Sequence, residues 1–131
     1  MRCGRNSPLI QYLIQEAIED NEEQGKLSGR VCPEPICIKL SRRSGHTDAI
    51  IELAKTSYKN ECLVVTNDND NAWRIRMTSG GDVIASSISD QPPRGITMPK
   101  VVFIDNAFYC RTKEIDKWMN GCPGSQFVLV G

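Results

Sequence analysis

Apolar residues recur at helical spacing near the start of the chain: Leu9, Ile10, Leu13, Ile14, Ala17 and Ile18. Ser7-Pro8 stands just ahead, a capping residue followed by a proline suited to the first helical turn. A helix is therefore predicted there, fading through Glu19-Asp20-Asn21-Glu22-Glu23 and stopping near Gly25. Residues 25–35 hold two glycines and two prolines and read as a loop. Ile36 to Leu40 is a short apolar run with one lysine, a strand pattern, and residues 41–46 form a polar turn. Thr47 or Asp48 then opens a helix with Ala49, Ile50, Leu53 and Ala54 on one face.

The same alternation repeats downstream. Cys62-Leu63-Val64-Val65-Thr66 is apolar over four residues, as buried parallel strands tend to be. A polar turn, Asn67 to Asn71, leads to a short helix over Ala72 to Met77, broken by Gly80-Gly81. Val83 to Ile88 is a weaker strand, and residues 89–99 are a proline-rich loop. Val101-Val102-Phe103-Ile104 is the most apolar strand and ends in Asp105. Thr112 to Met119 reads as a helix with Ile115, Trp118 and Met119 inward, stopped by Gly121-Cys122-Pro123-Gly124. Phe127 to Val130 is the last strand. Strands alternating with helices predict an α/β domain with a mainly parallel sheet of four to five strands and right-handed crossovers.

Composition narrows this reading without changing it. A chain of 131 residues is enough for a single domain, with residues 1–30 as helix and linker and 31–131 as the core. Sixteen basic residues balance sixteen acidic ones, so any contact with nucleic acid has to come from a local patch. No apolar run approaches membrane-spanning length, so no membrane partner is expected. Met1-Arg2-Cys3-Gly4-Arg5 lacks the apolar stretch of a secretory signal, and a cytoplasmic location (host cytoplasm or virion) is the default. Six cysteines invite a disulfide or zinc reading, but the spacings Cys32-x4-Cys37 and Cys110-x11-Cys122 match no strong zinc pattern. Reduced thiols are expected, with Cys37 and Cys62 acting as small hydrophobes inside strands.

Candidate chemistry gathers at strand ends, where open α/β sheets bind ligands. After the first strand lies Ser41-Arg42-Arg43-Ser44-Gly45-His46-Thr47. After the Val101–Ile104 strand lie Asp105 and Asn106, and after the last strand lies Gly131. A strand-loop-helix turn offers backbone N–H groups and a helix N-terminus to an anion. The Thr47 hydroxyl is suited to Mg²⁺, and Asp105 to the same ion directly or through water.

These segments resemble a family. Ser41 to Thr47, followed by Asp48-Ala49-Ile50-Ile51-Glu52-Leu53-Ala54, is similar to the phosphate loop and first helix of phage large-terminase and helicase-like P-loop NTPases. The likeness continues through Cys62 to Asn67, Arg94-Gly95, and Val101 to Ala107, which resembles a Walker B strand. It closes with Phe127 to Gly131, similar to the strand carrying the coupling motif, and so spans about residues 35–131. The resemblance implies a three-layer P-loop NTPase-like core that binds ATP and Mg²⁺. It assigns Ser41, Arg42, Arg43, Ser44, Gly45, His46 and Thr47 to the phosphates and Thr47 and Asp105 to the metal.

Two departures bear on activity. His46 stands where the family has the lysine of the phosphate loop, and Asn106 where it has the water-activating glutamate. Either loss commonly costs on the order of 10²–10³ in rate. Imidazole is shorter than a lysine side chain and carries no fixed charge, although Arg42 or Arg43 can also reach a phosphate. The leading expectation is a degenerate ATPase-like protein of viral type with impaired or absent hydrolysis. It would act through nucleotide, partner or nucleic-acid binding, with ATP and Mg²⁺ weak or lost. The alternatives are an active ATPase of DNA-packaging or helicase type, and a purely structural or regulatory interaction protein.

Bland readings stand beside these. His46 is either a phosphate contact or an exposed loop residue, and Arg42 and Arg43 either hold phosphate or are solvated. Asp105 is either a metal carboxylate or a turn cap, and Thr47 a metal ligand or an N-cap. Trp73 with Arg74 and Arg76 either stacks on a nucleic-acid strand or packs on the core beside surface arginines. If Phe127 to Val130 pairs on one side only, its open edge calls for self-association or a protein partner.

Overall fold

Five short strands, each followed or preceded by a helix, assemble in the computed structural model into one all-parallel sheet of order β1-β5-β4-β2-β3. The strands are β1 (Ile36–Ile38), β2 (Cys62–Thr66), β3 (Ala85–Ser87), β4 (Val101–Asp105) and β5 (Gln126–Val130). The helices are α1 (Ser7–Ser28), α2 (His46–Lys55), α3 (Asn69–Thr78) and α4 (Thr112–Gly121), and a single 3₁₀ turn spans Ala107–Tyr109. The structure describes residues 7–29, 33–40, 45–92 and 99–131. Ser41 to Ser44 and Arg94-Gly95 lie outside the described residues.

Period-two alternation divides the core into two layers. Val64, Val101, Phe103, Val128 and Val130 face α1, α2 and α3 together with Ile14, Ile18, Ile50, Leu53 and Ile75. Leu63, Val65, Val102, Ile104 and Phe127 face the other way, against Trp118 and Cys122 of α4. Helices thus cover both sides of the parallel sheet, the three-layer α/β arrangement expected of strands apolar on both faces. Trp118 is fully buried, and its indole N–H donates to the Ile88 carbonyl at 2.9 Å, tying α4 to the segment after β3.

Several elements depart from their predicted bounds for identifiable reasons. Helix α1 runs on through the acidic stretch to Ser28, where Gly29 takes φ 69°, a left-handed terminator. Tertiary bonds hold this second half: the Asn21 side-chain amide donates to the Glu34 carbonyl at 2.9 Å and also to Gln126 Oε1. Only one line of the predicted α1 stripe is buried, namely Ile10, Ile14 and Ile18, while Leu9 and Leu13 face outward. Helix α3 starts at Asn69, earlier than the apolar pattern suggests, because the Asp68 carboxylate caps it by accepting from Asn71 N–H at 2.8 Å.

The sheet order corrects the expectation of an open C-terminal edge. Strand β5 pairs with β1 through Ile36–Val128 to Ile38–Val130 and with β4 through Val101–Gln126 to Asp105–Val130. It is interior, so its pairing groups are occupied on both sides and cannot seek a second copy; β1 and β3 are the edges. Cys37 lies exposed on edge strand β1 instead of buried within a strand, and the described Cys37, Cys62, Cys110 and Cys122 are free thiols. Burial pushes Cys62 and Cys110 up to about 11, with help from Glu61 and Glu114 respectively, which keeps both unreactive at neutral pH.

The inward and outward lines of α1 make a direct test. Ile14→Ala is expected to destabilise the protein by about 2–5 kcal/mol in urea unfolding. Leu13→Ala is expected to change stability by about 0.5 kcal/mol or less. Equal losses would show that α1 is rotated from the described packing.

Candidate functional site

The carboxyl ends of four adjacent strands open onto one cavity of about 950 Å³. Lys39 and Leu40 reach it from beyond β1, and Gly131 from the end of β5. Asn106, Phe108 and Tyr109 follow β4; Asn67 follows β2, with Asn71 in the first turn of α3. His46 and Thr47, the first residues of α2, complete the wall. Gly45 precedes them at φ 89°, a left-handed conformation natural to glycine, and no side chain caps the helix start. The first N–H groups of a helix have no intrahelical acceptor, so this terminus carries donors and a positive dipole end beside the cavity.

Behind the cavity wall, at the end of β4, lies Asp105, 1% exposed. The Thr47 hydroxyl donates across its two oxygens, at 3.0 Å to Oδ1 and 3.1 Å to Oδ2. The Thr66 hydroxyl lies 3.4 Å from Oδ2, and the Asn106 backbone N–H also donates to the carboxyl. His46 Nε2 stands 3.3 Å from Oδ1. Burial pushes the carboxyl above its ordinary range, and His46, Thr47, Thr66 and the Asn106 N–H oppose that shift.

His46 is buried, with 8% exposure, which removes the reading of a solvent-exposed loop residue. Its ring packs so close to Gly131 that a β-carbon there would lie 3.0 Å from Nε2. Nε2 also meets Asn106 Oδ1 at 3.0 Å, which makes it the donor, since an amide oxygen only accepts. The Asn106 amide then turns its nitrogen to Asn67 Oδ1 at 3.1 Å, and Asn71 Nδ2 donates to the same oxygen at 3.0 Å. Asn106 itself has φ 57° and ψ 39°, a left-handed conformation that asparagine tolerates better than most residues. This gives a conformational reason for asparagine at the position where the resembled family has glutamate.

Of the residues singled out from sequence, Gly45, His46, Thr47, Asp105 and Asn106 converge here, while Ser41, Arg42, Arg43 and Ser44 lie outside the described residues. Thr66, Asn67 and Asn71 were not anticipated. The strand-end rule applied to β2, as it was to β1, β4 and β5, would have pointed to Thr66-Asn67. Trp73 is 57% exposed on α3, beside exposed Arg74, Arg76 and Met77, so it does not pack on the core. Comparison with protein-family models and with curated proteins finds no match for this chain. Among the described residues no helix is long and apolar enough to cross a membrane.

The donor set bears on Mg²⁺. Thr47 and Asp105 supply the hard oxygens that ion favours, but Mg²⁺ demands near-octahedral ligands at about 2.0–2.1 Å and keeps several waters. Asp105 is only 1% exposed: the Thr47 and Thr66 hydroxyls and the Asn106 backbone N–H meet its carboxyl, and His46 Nε2 stands 3.3 Å from Oδ1 in the space a hydrated ion would need. Among the described residues no third His, Cys, Asp or Glu joins His46 and Asp105 to make a metal cluster. The described residues as arranged do not fit the ion.

Two outcomes follow. The folded state holds the Asp105 proton more tightly than the unfolded chain does. That stabilisation is complete below the ordinary carboxyl value of 3.8 and is lost as pH rises through the raised one. Asp105→Asn, neutral throughout, should gain Tm relative to the parent as pH rises from about 4 to 7. A difference that stays flat or shrinks in calorimetry would overturn the assignment. Asn106→Glu should lose about 1–2 kcal/mol or more, since it forces a longer side chain into the left-handed region beside a buried carboxyl.

Proposed function

We propose that this chain is a degenerate P-loop ATPase-like protein that holds a phosphate-bearing ligand, a nucleotide in the first instance, with hydrolysis impaired or absent. The observation carrying this reading is the Thr47–Asp105 contact at 3.0 Å. It joins the start of a glycine-led helix to the acidic end of a non-adjacent stretch of chain, at the rim of a cavity on the carboxyl edge of a parallel sheet. Anions favour such helix starts, and ligands of open α/β sheets favour that edge. The volume of about 950 Å³ lies at the upper end of small-ligand pockets. The order of segments along the chain, from the Gly45-His46-Thr47 turn to the apolar strand ending in Asp105, supports the same class.

The chemistry of the two replaced positions argues against efficient turnover. His46 carries no fixed ammonium like that of a phosphate-loop lysine. Asn106 cannot deprotonate water, and its amide is spent on His46 and Asn67. A viral or DNA-packaging role rests on the sequence resemblance alone.

Titration calorimetry with ATP and with tripolyphosphate tests the reading. Binding of both in the micromolar to millimolar range is expected, with phosphate release below about 0.1 s⁻¹, well under ordinary enzyme rates. No heat with either ligand would remove the binding function, and faster turnover would favour an active ATPase.

A second reading has its own observation, the outward face of α3. Trp73 and Met77 are 57% and 60% exposed, with Arg74 and Arg76 exposed to either side, a combination suited to stacking on single-stranded nucleic acid. The other tryptophan, Trp118, is fully buried, so quenching by an oligonucleotide reports on Trp73. Quenching that Trp73→Ala abolishes would establish this contact; unchanged fluorescence and no salt-dependent binding would dismiss it.

A further inference from the structure

The mismatch with Mg²⁺ has a positive side. Two oxygens from different side chains, Asp105 Oδ1 and Asn106 Oδ1, converge on one nitrogen, His46 Nε2, at 3.3 and 3.0 Å. Convergence of a carboxylate and an amide oxygen is how oxygen-donor sites meet a hard cation. Here the meeting point is taken by an imidazole N–H from the position where the resembled family has its lysine. Gly131 lies against the same Nε2 edge of the ring, where its lack of a side chain leaves just enough room. Gly131 is itself fixed, its N–H donating to the Ile38 carbonyl and its carbonyl accepting from Phe108 N–H, both at 3.0 Å. The seat is therefore built where the ends of β1, β4 and β5 meet the first residue of α2.

We infer that His46 occupies the cation seat beside Asp105, so that this pocket excludes divalent metal and takes its phosphate-bearing ligand without Mg²⁺. The exclusion is a statement about the chain's own side chains; metal-free ligand binding rests on the nucleotide-binding reading above. Steric occupation contributes, because a hydrated ion cannot share the space of the ring. Loss of a ligand contributes as well, because Asn106 Oδ1 already accepts from Nε2, and Asp105 Oδ1 lies 3.3 Å from the same nitrogen. The helix α2 terminus then remains as a metal-independent anion site, as backbone N–H donors need no ion to work. Asn67 and Asn71 act one step further out, as positioning residues: they hold the Asn106 amide with its oxygen toward His46.

Mn²⁺ alone, followed by the electron paramagnetic resonance of the free ion at mildly alkaline pH, tests the seat without any nucleotide. The parent protein should bind no Mn²⁺ up to millimolar concentration. His46→Ala, shown folded by circular dichroism, should bind at least about tenfold more tightly, and adding Asp105→Asn to it should abolish the gain. Parent protein that binds Mn²⁺ through Asp105 overturns the inference, as does a folded His46→Ala variant that gains nothing. A second measurement on the unaltered protein keeps the question open to refutation if His46→Ala does not fold. Calorimetry with ATP should give the same Kd within about twofold in Mg²⁺ and in EDTA, and binding at least about tenfold tighter with Mg²⁺ overturns the inference. Absence of ATP binding under both conditions removes the nucleotide reading, while the Mn²⁺ arm on the parent still decides who holds the seat.

Discussion

A carboxyl group buried at the end of the central strand β4 is the constraint on which the site depends. Asp105 is 1% exposed, and an unpartnered carboxylate there would be prohibitively unfavourable. It is met by a hydroxyl from α2, a hydroxyl from β2, a backbone N–H from the turn after β4, and an imidazole from the first residue of α2. The side chains among these groups lie some 40 to 60 residues from Asp105 in sequence, with separations of 58 for Thr47 and 39 for Thr66. Their agreement fixes where α2 begins relative to the sheet. The same agreement turns the helix terminus toward the cavity.

Parallel strand pairing makes that agreement possible. Because β5 lies between β1 and β4, Gly131 just past it bonds to Ile38 of β1 on one side and to Phe108, beyond the tip of β4, on the other. Gly131 then lies against the Nε2 edge of the His46 ring, and the ring in turn fixes the Asn106 amide. A side chain at position 131, or a shift of β5 by one residue, would displace the imidazole. The polar network is thus supported by the apolar layers on either side, since Val128 and Val130 face α1 and α2 while Phe127 faces α4. Packing sets the register, and register sets the chemistry.

Much of the fold was legible in the sequence, for a simple reason. The runs Cys62–Thr66, Val101–Asp105 and Gln126–Val130 are nearly continuously apolar, which only a sheet covered on both faces tolerates. Helix α4 likewise announces itself through Trp118 and its neighbours. Less visible were features in which tertiary contacts outweigh local preference. The acidic half of α1 looks like a helix end, yet Asn21 binding to Glu34 and Gln126 carries it on to Ser28. The wide apolar stripe of α1 could not disclose that Leu9 and Leu13 turn outward. Strand order was hidden altogether, because pairing between β5 and β1 joins residues about ninety positions apart, as Ile36 with Val128.

The candidate site divides in the same way. Residue types at strand ends were enough to bring forward Gly45, His46, Thr47 and Asp105, since glycine, hydroxyl and carboxyl groups beside a helix start carry their chemistry openly. What those groups do to one another was decided only by the folded chain. Sequence presents His46 as a lysine lost and Asn106 as a glutamate lost. The folded chain shows one donating to the other, with Asn106 held at φ 57° and His46 seated on two oxygens against Gly131. Local pattern determines which segments are strand or helix, because it is governed by periodicity along a few residues. Convergence of donors on a buried carboxyl is a property of distance in space, and only the packing of the sheet against its helices sets it.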